Sequence, residues 1–130
     1  LDGLVARFRE RTAIELSYVK RGGELSLSNE TENEVFHIVQ EALANIERHS
    51  HARHAWLIVE GRPFGFEMRI EDDGVGPPAG DEQCDEGSHF GIGIMNERAQ
   101  RLGGELQVVK RPGGGTRVRL ACPAPAPAGA

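Results

Sequence analysis

Between Phe64 and Asp72 the chain alternates, with Phe66, Met68, Ile70 and Asp72 on one face of an extended segment and Glu67, Arg69 and Glu71 on the other. An apolar face of that regularity must be covered, so the segment predicts a strand with a second layer packed against it. That face ends on a carboxylate. Burying Asp72 is costly unless something hydrogen-bonds it, whether a turn cap or a ligand. Asp73 points the other way and is expected to be a solvated turn residue, while Gly74 and Gly76 let a backbone or a flat ligand come close.

The 130 residues, 38% hydrophobic and 27% charged, suit one globular domain with a real core. No apolar run approaches the roughly 18 residues of a membrane span and no signal-peptide pattern opens the chain, so no membrane contact by this domain is expected. A net charge of −5 argues against a direct nucleic-acid partner, although a local pocket can still be basic. Cys84 and Cys122 lack CxxC spacing and read as reduced thiols. The chain opens without methionine, as a fragment of a longer protein would.

Leu4, Val5 and Phe8 predict a short helix over residues 1–10, and Ile14, Leu16 and Tyr18 a strand over 12–19. A turn at Arg21-Gly22-Gly23 leads to a short strand around 24–27. Ser28 to Thr31 offers caps for a long helix to about Ser50, with Val35, Ile38, Val39, Ala42, Leu43 and Ile46 at helical spacing. Residues 54–60 and 64–72 read as a hairpin, and residues 77–89 as a long acidic loop. A helix over 91–102 stops at Gly103-Gly104, strands follow at 105–110 and 116–122, and the proline- and alanine-rich residues 123–130 read as a disordered tail outside a domain of residues 1–122. The expected fold is α+β, a two-layer sandwich with a mixed, mostly antiparallel sheet covered on one face by three helices.

At about 100° per residue, Glu41, Asn45 and Arg48 share one flank of the long helix. A metal taking hard oxygen ligands suits Asn45, a water-activating or proton-accepting role suits Glu41, and a phosphate suits Arg48 and His49. Taken by themselves, these residues read more readily as a solvated flank of ion pairs. Glycines recur at Gly91 and Gly93, entering a helix, and at Gly113 to Gly115, entering a strand. A glycine turn before a helix exposes N–H groups to an anion such as a polyphosphate, though many such clusters are plain turns. Thr116 shares a strand face with Val118 and Leu120 and can reach inward beside Asp72. No GxxxxGK[ST] occurs. Gly74 to Ala79 satisfies GxGxxA, but Pro77-Pro78 and the acidic run behind it cannot form the helix a dinucleotide fold needs.

In order, QEALANIERHSHA (Gln40–Ala52), DDGVG (Asp72–Gly76), GSHFGIGIMNERAQRLGG (Gly87–Gly104) and GGGTRV (Gly113–Val118) resemble the N, G1, G2 and G3 boxes of the catalytic ATP-binding domain of sensor histidine kinases in the GHKL superfamily, with its Bergerat-type fold. The likeness covers residues 12–122, and HFGIGIMNERAQRLGG further resembles the nitrate/nitrite sensor branch. It implies that Asp72 accepts a hydrogen bond from the adenine amino group, that Gly74 and Gly76 line the base pocket, and that Asn45 binds Mg²⁺. Arg48 and His49 would contact phosphate, Glu41 would polarise the acceptor, Gly91 and Gly93 would form the hinge after the lid, and Thr116 would support the adenine side.

The reaction implied is transfer of the γ-phosphoryl group of ATP, leaving ADP, to a histidine on an upstream dimerisation domain, for relay to a response regulator. The intact protein would be a homodimer whose kinase domain is cytoplasmic, whether or not it is membrane-anchored. None of His37, His49, His51, His54 and His89 sits in a recognisable acceptor motif, so the fragment is expected to bind nucleotide without phosphorylating itself. An anti-sigma-type serine kinase, a nucleotide-binding module without transfer, and an ATPase of the chaperone or DNA-topology type are the rival readings. The acidic residues 81–86 would repel phosphate and favour an open lid.

Overall fold

The alternating segment forms the central strand of a five-stranded sheet. A computed structural model describes residues 1–22, 27–63, 65–76 and 92–123. In chain order the elements are α1 (Asp2–Arg11), β1 (Glu15–Arg21), α2 (Asn29–Asn45) with a π-helical turn (Ile46–Ser50), β2 (His54–Arg62), β3 (Gly65–Asp72), α3 (Ile92–Arg101), β4 (Glu105–Lys110) and β5 (Thr116–Pro123). The strands lie in the order β1-β2-β3-β5-β4. β1 runs parallel to β2, as α2 between them allows, and the other pairs are antiparallel.

All three helices cover one face. Phe8 of α1, Ile38 and Val39 of α2, and Met95 and Ala99 of α3 are fully buried against Leu57, Met68, Ile70 and Leu120 of the sheet. The expected mixed sandwich is therefore the observed one. The expected short strand at 24–27 lies, apart from Leu27, outside the described residues, as do Gly91, the loop at 77–89, Cys84 and the tail from residue 124. Cys122 is a buried free thiol.

Two boundaries move, each for a local reason. The strand expected from Thr12 starts at Glu15, because Thr12 closes α1: its N–H and its hydroxyl both donate to the Phe8 carbonyl at 3.0 Å, and its Oγ1 then accepts from Ile14 N–H at 3.2 Å. The long helix, capped by the Ser28 hydroxyl accepting from Thr31 N–H at 3.1 Å, changes hydrogen-bond period after Asn45. Its last turn is π-helical and ends on His51 in the left-handed region at φ 55°. A wider turn shifts every side chain after Asn45 away from 100° spacing.

The sheet face opposite the helices is held by charge. Glu67 and Glu71 point outward, as the alternation requires, yet both are buried. Arg119 donates to Glu67 at 2.9 and 3.3 Å and Arg62 donates to the same carboxylate. Arg111 and Arg117 each donate to Glu71 at 3.1 Å. The Arg119 hydrogen bond, outweighing the opposing effect of burial, holds the Glu67 carboxyl below its usual range. A carboxyl lowered in the folded state stabilises above its unfolded pKa and loses that contribution as pH falls through the folded one. Glu67→Gln is therefore expected to cost about 1–3 kcal/mol at neutral pH, as for a hydrogen bond to a charged group. Urea unfolding of both proteins should show the gap closing as the solution is acidified.

Candidate functional site

β3 delivers Asp72 to the end of the sandwich with 3% of its surface exposed. Its Oδ1 accepts Gly74 N–H at 2.8 Å, and the carboxylate also accepts from the backbone of Thr116. Burial dominates these hydrogen bonds and pushes the acid above its ordinary pKa. An ionised carboxylate offers about four lone-pair directions, so these two donors leave it able to accept more. That spare capacity faces a cleft.

Two backbones grip the segment around Asp72. Val75 N–H donates to the Ser50 carbonyl at 2.9 Å, which brings Gly74 so near the π-helical turn that a Cβ there would collide with that carbonyl. Ser50 is buried, its hydroxyl donating to Ile46 O at 2.6 Å and accepting from Ala52 N–H at 3.0 Å. On the other side Gly115, at φ 104°, lies against the Asp72 carbonyl where any side chain would clash. Asp73 is exposed but is not merely a solvated turn residue. Its Oδ1 accepts from the N–H groups of Arg53 and His54 at 2.9 and 3.0 Å, tying the end of β3 to the start of β2. The His54 N–H is the largest of the effects that hold its carboxyl below the usual range.

The cleft is lined by Asn45, Ser50, Asp72, Gly76, Met95 and Thr116 among others, and its free volume is narrow at about 20 Å³. Asn45 is 8% exposed and Thr116 9%, so both present polar groups in a largely apolar wall. Glu41, Arg48, His49 and Gly93 do not line it. Arg48 pairs with Glu41 at 3.4 Å on the exposed flank of the helix, His49 is half-buried on the π-helical turn, and Gly93 sits exposed in the first turn of α3. A larger cavity of about 930 Å³ opens elsewhere, between the start of α2 and the sheet near Tyr18, Val59 and Phe66, and holds none of the expected site residues.

Ser50 and Gly115 were not among the expected residues. Gly115 was visible as part of a glycine cluster, but nothing in its spacing said which backbone it would meet. Ser50 was hidden because its role comes from a π-helical turn that regular periodicity does not describe. Among the described residues no group of three or more His, Cys, Asp or Glu is placed to hold a metal.

The family model for histidine kinase-, DNA gyrase B- and HSP90-like ATPases matches residues 30–126. This chain belongs to that family. The sensor histidine kinase LiaS of Bacillus subtilis is 29% identical over 95% of this chain and 33% of its own length. The kinase/phosphatase DegS of Brevibacillus brevis is 32% identical over 95% of this chain and 31% of its own, and the nitrate/nitrite sensor NarQ of Escherichia coli 32% over 92% and 21%. The chain thus spans a fifth to a third of these relatives. Because LiaS and DegS match as well as NarQ does, the resemblance to the nitrate/nitrite branch is not favoured over others.

Among solved structures, the ATP-binding domain of PrrB from Mycobacterium tuberculosis superposes with a TM-score of 0.73 at 25% identity, covering 95% of this chain and 93% of that one. The Acinetobacter baumannii histidine kinase AdeS shares the fold with a TM-score of 0.74 at 15% identity, over 94% of this chain and 61% of that one. The domain is a histidine-kinase-type ATP-binding domain of the GHKL class.

The raised pKa of Asp72 has a measurable consequence. A carboxyl raised in the folded state favours folding below its unfolded pKa and loses that contribution as pH rises through the folded one, so ionised Asp72 costs stability at neutral pH. Asp72→Asn should melt at or above the wild-type temperature at pH 7. Thermal unfolding across a pH series should show the advantage disappearing in acid.

Proposed function

We propose that this chain binds ATP with Asp72 reading the adenine amino group, and that it donates the γ-phosphoryl group to a histidine on a separate helical dimerisation domain for relay to a response regulator. The observation that carries this reading is the Asp72 carboxylate, buried at the floor of the cleft and held by backbone N–H groups with acceptor capacity to spare. A donor such as an exocyclic amine satisfies it; a carbonyl at the same place meets two lone pairs instead. Gly76 lies on one wall and Thr116 on the other, Gly74 packs behind against the Ser50 backbone, and the walls must part to admit an adenine ring.

The donor set fits Mg²⁺. Magnesium keeps several waters and takes few protein ligands when phosphates are present, so the single hard oxygen of Asn45 suffices. Such an ion would neutralise charge on the phosphates. Among the described residues Arg48 forms an exposed pair with Glu41, an interaction worth about 0–1 kcal/mol, so exchanging that partner for a phosphate oxygen costs little. The exchange frees Glu41 to polarise the incoming imidazole. His49 on the same turn supplies a second phosphate contact, and Gly93 with Gly91 lets the chain before α3 approach. The transfer itself is an in-line displacement in which an acceptor nitrogen bonds to the γ-phosphorus and the bridging oxygen leaves with ADP.

The catalytic unit is residues 1–122, with the remaining tail outside it. By analogy with sensor kinases it works in the cytoplasm within a homodimer formed by the dimerisation domain. Among the described residues no helix is long and apolar enough to cross a membrane.

Calorimetry with ADP and Mg²⁺ tests the site. The wild type should bind, and Asp72→Ala should lose affinity ten- to about a hundredfold, the equivalent of one hydrogen bond to a charged group. Radiolabelled ATP with the family's histidine-bearing dimerisation domain supplied in trans tests the transfer. Acid-labile phosphohistidine on that domain supports the kinase reading, whereas acid-stable phosphoserine on a protein target favours the serine-kinase alternative.

A further inference from the structure

The turn that packs against Asp72 is intrinsically soft. Gly113, Gly114 and Gly115 follow one another with φ of 89°, 114° and 104°, and consecutive glycines lose more conformational freedom on folding than any other residues. Something must select one conformation of this turn, since Gly115 in that conformation is what touches the backbone of Asp72.

Arg111 brackets it. The Arg111 N–H donates to the Gly115 carbonyl at 2.9 Å, and the Arg111 carbonyl accepts Gly114 N–H at 2.9 Å. Its side chain then crosses to the sheet face away from the cleft. There the guanidinium donates through Nη1 to the Gly114 carbonyl at 3.2 Å and through Nε to Glu71 at 3.1 Å, and it lies over the Trp56 ring at 4.3 Å from the centroid. Glu71 is the residue before Asp72, and Trp56 is its partner across β2 and β3. One planar cation therefore joins the glycine turn to the strand that carries the carboxylate. A guanidinium suits this, because its fixed fork makes two hydrogen bonds while its face stacks, which an ammonium cannot do.

We propose that Arg111 is a positioning residue of the nucleotide site, fixing the glycine turn against Asp72 from the opposite side of the sheet and so setting how the carboxylate meets the base. This rests on the adenine reading above. The claim is separable from it, since the clamp exists without nucleotide.

The test compares Arg111→Ala, Arg111→Lys and Arg117→Ala with the wild-type chain. Arg117 donates to the same Glu71 without bonding the turn, so it controls for charge and for the loss of a Glu71 partner. With ADP and Mg²⁺ in calorimetry, Arg111→Ala should weaken binding about five- to tenfold, a loss of roughly one hydrogen bond's net contribution. Arg111→Lys should recover only part, Arg117→Ala should stay within about twofold of the wild type, and the two alanine variants should melt together. The chain has one tryptophan, so Trp56 emission reports directly on the stacked cation and should change in Arg111→Ala before any nucleotide is added.

Unchanged ADP affinity in Arg111→Ala, an equal loss in Arg117→Ala, or full recovery by lysine would overturn the clamp. If the wild type itself fails to bind ADP, the adenine reading falls and amide hydrogen exchange decides the clamp alone. Faster exchange at Gly114 in Arg111→Ala supports it, and unchanged exchange rejects it.

Discussion

The burial of one carboxylate organises this end of the molecule. Asp72 is placed inward by the same alternation that buries Met68 and Ile70, and an ion in that position is tolerated only because backbone N–H groups reach it. Those groups belong to Gly74, which follows directly, and to Thr116, which arrives from β5. Each imposes a close backbone approach, one on the π-helical turn at Ser50 and the other through Gly115, so the glycines of two distant motifs answer to one acid. Burial raises its pKa, so an ionised carboxylate at this position costs stability at neutral pH. That is the pattern expected where function rather than folding selects a residue.

The sheet serves two unlike environments. Toward the helices, β3 contributes apolar side chains to a close-packed core, which makes the end of the strand stiff. Away from them it carries Glu67 and Glu71, buried not by a second layer but under the arginines they bind. Removing water from a carboxylate is costly, and each of these two is compensated by two or more guanidinium donors. The ladder stiffens the face of the sheet that no helix among the described residues covers. It also gives the strand carrying Asp72 a mechanical link to the turn between β4 and β5.

Much of this was legible from residues alone. Periodicity located the three helices and the principal strands, because a face that must be buried imposes its own spacing. The pairing of a buried acid with glycines marked the candidate site, and four motifs in order carried the family. What escaped was where local hydrogen bonding competes with periodicity. Thr12 caps a helix instead of opening a strand, and the turn from Ile46 to Ser50 abandons the spacing by which Arg48 was aligned with Asn45. Asp73 looked like a solvated turn residue because its partners, the N–H groups of Arg53 and His54, lie 20 and 19 residues away.

The sequence by itself determined the fold class, the orientation of Asp72 and the residue types available for the chemistry, since each follows from short-range geometry and from which faces water must leave. Only the tertiary structure decided which of those residues share a cleft. Asn45, Asp72 with Gly76, and Thr116 come from three separate segments, while Glu41 and Arg48 remain paired on a flank outside it. It also brought in Ser50, Gly115 and Arg111, whose parts depend on backbone contacts across the fold. Periodicity records which side of an element is buried; it carries no information about which distant backbone will be there to meet it.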